Sequence, residues 1–162
     1  MIAIFVRHAD YLQLNDVPSA HQPFALSTKG IEQAKAGAAL LRQMLAEYNW
    51  YCHPQIHCSQ MLRAWQTASI FAEILGENYS ISSFDALAER GMGCLANLTI
   101  EQINTVIAED PRVDDVPADW KRNSHYRLPF QGAESLMMAG ERVAGHVNTT
   151  MQAHLKDTAE PE

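Results

Sequence analysis

Arg7 and His8 stand side by side directly after an unbroken apolar run, Ile2-Ala3-Ile4-Phe5-Val6. Two further groups with chemical potential follow short strand candidates: Ser59 and Arg63 after Gln55-Ile56-His57-Cys58, and Glu89 after the segment 81–87. Two guanidinium groups, an imidazole and a carboxylate suit one task in particular, the handling of a phosphoryl group. Arginine makes paired hydrogen bonds to phosphate oxygens, and two arginines can neutralise a dianion. A histidine whose free ring nitrogen is held towards phosphorus is a competent nucleophile at neutral pH. A carboxylic acid can protonate the leaving alkoxide. Ser59, with the backbone amides after it, opens a helix whose N-terminus favours an anion.

These groups need elements to hold them. Residues 2–6 read as a fully buried strand, because they are β-branched and aromatic without alternation. Residues 9–25 read as a loop. A helix then starts at Ser27 or Thr28, with Leu40, Leu41, Met44, Leu45 and Tyr48 on one face. Residues 55–58 form a short strand, and Ser59 is placed to cap an amphipathic helix over 60–76 that closes at Gly76. A third short strand and a turn occupy 79–87, and a helix spans 99–109. Residues 111–131 read as a long surface loop. The last helix runs from Glu134 to Leu155, weakened by Gly140 and Gly145. Strands alternating with helices predict an α/β fold: a three-layer sandwich with a mainly parallel sheet and helices on both faces. In such sheets ligands sit off the carboxyl ends of the strands, where Arg7, His8, Ser59, Arg63 and Glu89 all fall.

The bulk numbers agree with a single domain over 1–162. The chain has 162 residues and 47% hydrophobic content, enough for a sizeable core. A net charge of −7 argues against nucleic acid and against anionic lipid surfaces. No apolar run reaches membrane-spanning length, and no signal peptide is visible. Three cysteines suit a reducing compartment, so a cytoplasmic location is expected.

The sequence resembles the histidine phosphatase superfamily, with its phosphoglycerate-mutase-like fold. The family's Arg-His-Gly/Ala motif is present as Arg7-His8-Ala9. Its LTxxGxxQA segment is present as Leu26-Ser27 through Gly30, Gln33 and Ala34. Its SPLxRAxQTA segment is present as SQMLRAWQTA, Ser59 to Ala68, and its acid segment as Leu87, Glu89 and Gly93. Its GGES…RV segment is present as Gly132 to Ser135 with Arg142-Val143. The resemblance implies a phosphatase acting through a phosphohistidine at His8, with Glu89 as proton donor and Arg7 and Arg63 as phosphate clamps. Ser59 and Asn15 would complete substrate binding, and the loop at 111–131 would help select the substrate. A small phosphorylated molecule or phosphate is the expected ligand, with no metal or organic cofactor.

Three departures accompany the match. Gln60 replaces the family's proline, and Asn15 falls one place late. The family's second histidine follows a C-terminal strand, whereas His146 and His154 both sit in a helical pattern. The chain therefore reads as C-terminally short within its fold. Losing that histidine would remove a donor to the transferring phosphoryl, worth about 10²–10³ in rate. A catalytically weak phospho-ligand-binding or regulatory protein, and a mutase-type phosphotransferase, are the alternatives. A second copy of the chain, as in a homodimer, could cover an unfilled sheet edge.

The segment Cys52 to Cys58, CHPQIHC, offers two thiols and two imidazoles. Ile56 and Cys58 would share one strand face and His57 the other, and closed zinc sites draw ligand pairs from two separate segments. A structural reading is favoured there. Trp65, Met137 and Met138 read as core or interface residues.

Overall fold

The computed structural model describes residues 1–18, 21–114 and 116–157. These divide into two compact units, each discontinuous in sequence. One holds Met1–Ile4, Leu14–Gln22 and Ala88–Glu162; the other holds Phe5–Gln13 and Pro23–Leu87.

The second unit is built on α1 (Thr28–Glu47), β1 (Gln55–Cys58), α2 (Leu62–Leu75) and β2 (Ser80–Ser83). The strands pair in parallel, with Ile56 opposite Ile81 and Cys58 opposite Ser83. Parallel strands need a crossover, and α2 supplies it. The α/β class with a parallel sheet is thus as expected, in a short form: among the described residues the sheet has two strands.

Ser27 caps α1 by accepting from the Gly30 amide. The buried stripe of α1 runs through Gly30, Ala34 and Ala38. Small residues let α2 approach closely; a Cβ on Gly37 would stand 3.2 Å from the Phe71 ring. The large residues expected on one face of α1 divide accordingly. Leu41, Met44 and Leu45 are half-buried, while Leu40 and Tyr48 are exposed. The inner stripe of α2 recurs every fourth residue: Arg63, Thr67 and Phe71, flanked by Ala68 and Ala72.

The expected strand over residues 2–6 does not form. Ile2, Ile4, Phe5 and Val6 are 47–71% exposed. Strand propensity describes fit to a pleated surface, and a continuous apolar strand needs ladder partners and cover on both faces. β1 and β2 pair with each other, and neither pairs with this segment.

The first unit carries α3 (Ile100–Glu109) and α4 (Leu136–Asp157). α3 opens with a reciprocal capping box between Thr99 and Gln102. The described residues of 111–131 are irregular as expected, but they are not a mere surface loop. Trp120, Leu128 and Phe130 join Met92, Leu95, Ile103 and Ala133 in the unit's core. Gly93 closes the turn beneath that core at φ +58°, and a Cβ there would sit 2.0 Å from the Gln131 carbonyl oxygen. α4 is capped by Ser135, whose hydroxyl accepts from the Met138 amide. Its Met137 and Met138 are exposed, as is Trp65 of α2, so none of the three is a core residue. Among the described residues no helix is long and apolar enough to cross a membrane.

Candidate active site

The loop bearing His8 is cradled by α1 and α2. The Asp10 amide donates to Gln33 Oε1 of α1 at 3.0 Å. Tyr11 pairs with Leu26 in an antiparallel bridge. The Leu26 amide in turn donates to Gln66 Oε1 of α2 at 2.8 Å. At the first turn of α1, Gly30 lies against the Asp10 backbone, where a Cβ would fall 1.8 Å from the carbonyl oxygen. Only glycine lets the helix start so close to the loop. The LSTKG…Q and RAWQTA segments therefore do mechanical work: Gly30, Gln33, Gln66 and Thr67 fix the backbone around His8.

Within that cradle a closed hydrogen-bonded circuit runs through four residues. His8 Nδ1 lies 2.9 Å from its neighbour's carbonyl, Ala9 O. A carbonyl can only accept, so Nδ1 carries the proton and donates. The Ala9 amide donates to Thr67 Oγ1 at 3.2 Å. The Thr67 hydroxyl donates to the Arg63 carbonyl at 2.8 Å. Arg63 Nε donates to His8 Nε2 at 3.2 Å, which closes the loop. In the neutral imidazole that these contacts select, Nε2 keeps its lone pair and points it at a guanidinium. Arg63 is 2% exposed, and its guanidinium carbon stands 4.5 Å from the centre of the Tyr11 ring.

The expected site residues fall as follows. His8 and Arg63 are brought into direct contact. Arg7 is exposed. Ser59 is half-buried and does not cap α2. Its hydroxyl accepts from the Met61 amide at 3.3 Å, and the cap position belongs to Met61, so the helix begins at Leu62 rather than at 60. Glu89 and Asn15 belong to the other unit, and both are exposed. Asn15 sits in a turn whose next residue, Asp16, has φ +58°. His146 and His154 both lie inside α4. Thr67 and Tyr11 were not among the expected site residues. Thr67 was findable from its spacing, since Arg63, Gln66 and Thr67 stand at i, i+3 and i+4 and share one helix face.

In the first unit the segment bearing Glu89 is held by a buried-edge ion pair. Arg142 Nε donates to Glu134 Oε1 at 3.1 Å and Nη2 to Oε2 at 2.8 Å. Arg142 Nη1 donates to the Ala88 carbonyl at 2.9 Å, and the Gly91 amide donates to Glu134 Oε2 at 2.8 Å. The hydrogen bonds from Arg142, aided by the Gly91 amide, hold the Glu134 carboxyl below its ordinary 4.5 despite partial burial. A carboxyl with a depressed folded-state pKa contributes stability above its unfolded pKa and loses it as pH falls through the folded value. Arg142→Ala should therefore destabilise the protein at pH 7 by about 1–3 kcal/mol, because it strands a partly buried carboxylate. The difference from wild type should shrink as the solution is acidified below the ordinary carboxylate range. Urea unfolding across that range measures it; a pH-independent difference would contradict the account.

Among the described residues no three His, Cys, Asp or Glu side chains converge in a way that could hold a metal ion. In the Cys52–Cys58 segment, His57 Nε2 meets Gln55 Oε1 and its ring lies 4.5 Å from Phe84, while Cys58 contacts Ser83.

Comparison with known proteins bears on this arrangement. A mycobacterial glucosyl-3-phosphoglycerate phosphatase superposes with a TM-score of 0.68 at 22% identity, over 90% of this chain and 61% of that one. The same mycobacterial phosphatase in complex with VO3 gives 0.66 at 22%, over 90% and 62%. The alpha-ribazole phosphatase from Shigella flexneri gives 0.65 at 20%, over 92% and 66%. The chain thus spans under two thirds of the length of these structures, and the likeness is one of fold. None of the curated proteins matches the chain in sequence. The profile of the histidine phosphatase superfamily (branch 1) matches residues 3–159. The chain belongs to the histidine phosphatase superfamily.

Proposed function

We infer that the protein hydrolyses a phosphomonoester through a phosphohistidine on His8. The observation that carries this reading is the pair of contacts made by the His8 ring. Its Nδ1–H is spent on the Ala9 carbonyl, and its Nε2 lone pair faces the Arg63 guanidinium, where a phosphate oxygen would be drawn. A phosphoryl group entering beside Arg63 competes for the Nε–H and frees the lone pair for attack.

The chemistry follows. Nε2 attacks phosphorus in line with the leaving oxygen; the P–N bond forms as the P–O bond breaks. Glu89, protonated, gives its proton to the departing alkoxide, so an alcohol leaves. Glu89, now a carboxylate, takes a proton from water, whose oxygen attacks the phosphohistidine. The P–N bond breaks, inorganic phosphate leaves, and Nε2 recovers its lone pair. Arg63 and Arg7 offset charge on the equatorial oxygens throughout. Ser59 and Asn15 are assigned to substrate binding. No step needs a metal or an organic cofactor. The substrate class is a small phosphorylated molecule, as the names of the two neighbouring phosphatases suggest.

Leaving groups of different basicity test the assignment of Glu89. A nitrophenolate departs without a proton, whereas an alkoxide does not. Glu89→Gln should slow alkyl phosphates about 10²–10⁴-fold and p-nitrophenyl phosphate much less. Equal slowing of both would remove Glu89 from the acid role. Phosphate or vanadate binding with no turnover of either substrate would instead favour a phospho-ligand-binding protein on the same fold.

A further inference from the structure

Arg142 reaches back from the second turn of α4 to the chain that carries Glu89. Its Nη1 donates to the Ala88 carbonyl at 2.9 Å and its Nη2 to the Glu89 carbonyl at 3.4 Å. These two carbonyls belong to the peptide units on either side of the Glu89 Cα. A peptide unit is planar, so a residue turns only about its φ and ψ. With both neighbouring planes bonded to one guanidinium, the φ and ψ of Glu89 are set together. The direction in which its Cβ leaves the backbone is set with them.

The guanidinium is itself held. Glu134 takes Nε and Nη2 with its two oxygens, the bidentate arrangement that fixes a guanidinium in orientation as well as distance. Glu134 in turn is anchored to the chain just beyond Glu89. Its carboxylate accepts from the Gly91 amide at 2.8 Å, and its own amide donates to the Gly91 carbonyl at 2.9 Å. Met92 and Ala133 continue this pairing as an antiparallel bridge. Glu89 lies two residues before Gly91, and Arg142 carries the hold out to it. For stability alone, an apolar pair of similar volume would serve a partly buried site as well as this ion pair does. An apolar pair could not grip two carbonyls.

We propose that Arg142 is a positioning residue for the proton donor: by bonding the peptide units on both sides of Glu89, it fixes the direction in which that carboxyl is presented. That Glu89 is the donor rests on the reading given above; the hold on its backbone does not.

Arg142→Lys separates positioning from charge. Its ammonium keeps the ion pair with Glu134 but has no planar fork to span two carbonyls. The kcat for an alkyl phosphate should fall about ten- to a hundredfold, with KM nearly unchanged and p-nitrophenyl phosphate slowed much less. In a Glu89→Gln background the same substitution should add almost nothing, because the group it positions is already gone. The three-bond NMR coupling between the amide and Hα protons of Glu89 reads φ without any turnover. It should move to the averaged value of a mobile backbone in Arg142→Lys. If Arg142→Lys does not fold, Glu134→Gln, which loosens the guanidinium, should show the same preferential loss and the same change in coupling. The proposal is overturned if Arg142→Lys slows both substrates equally while Glu89→Gln does not, if its effect adds in full to that of Glu89→Gln, or if the coupling is unchanged. If Glu89→Gln itself slows both substrates equally, or wild type turns over neither, the proton-donor reading fails and the coupling alone judges Arg142.

Discussion

Replacing His8 with alanine is expected to bring aryl-phosphate hydrolysis down to the uncatalysed background, a loss of about 10³-fold or more. Thr67 Oγ1 is committed to the Ala9 amide and the Arg63 carbonyl, and the Arg63 guanidinium in contact with His8 has no lone pair to offer. The fold should survive the change. His8 is only half-buried, and the loop around it is pinned by Gln33, Thr67 and the Tyr11–Leu26 bridge rather than by the imidazole. Circular dichroism of the variant should therefore match wild type while turnover vanishes. Equal rates for the two proteins would mean that the observed hydrolysis does not pass through His8.

Arg63→Lys should lower kcat/KM for p-nitrophenyl phosphate by about 10²–10³. The charge is kept, so a purely Coulombic role would predict little change. Three features of the guanidinium are lost instead. The ammonium has no Nε–H at the branch point that meets His8, no flat face for Tyr11, and no fork of parallel donors for phosphate oxygens. The contact between α2 and the His8 loop through Thr67 survives, because it uses the backbone carbonyl of residue 63. Steady-state kinetics with p-nitrophenyl phosphate checks this, and wild-type kcat/KM in Arg63→Lys would contradict the role given to the planar group.

How far the sequence announces all this differs from element to element. The helices are written plainly: Ser27 and Thr99 are good caps, and both cap. The cradle is half legible. Arg63, Gln66 and Thr67 share a helix face by spacing alone, and Gly30 falls one turn into α1. Which backbone groups they meet depends on loop geometry that no periodicity encodes. The tautomer of His8 is of the same kind, since it is set by the Ala9 carbonyl, a group every residue possesses. Tyr11 had no signal, because an aromatic residue in a loop reads as packing until a buried cation is found against it.

The failures have physical causes. Residues 2–6 have the composition of a central strand, but a ladder needs partners, and among the described residues β1 and β2 pair only with each other. The segment at 111–131 is rich in proline and charge and reads as surface. Trp120, Leu128 and Phe130 nevertheless turn inwards, because three large apolar side chains suffice to anchor an irregular segment on a core. Ser59 stands at the mouth of α2 but bonds Met61 before the helix begins, so the cap is a backbone matter.

The central claim is that His8 attacks through Nε2 because Nδ1–H is held by the Ala9 carbonyl. Rapid alkaline quench of the protein during turnover of a phosphomonoester, followed by 31P–15N NMR of the uniformly 15N-labelled chain, locates the phosphoryl group. The account predicts a single phosphohistidine on His8, bonded at Nε2. A phosphoryl group on Nδ1, on another residue, or no phosphoenzyme during demonstrable turnover would contradict it.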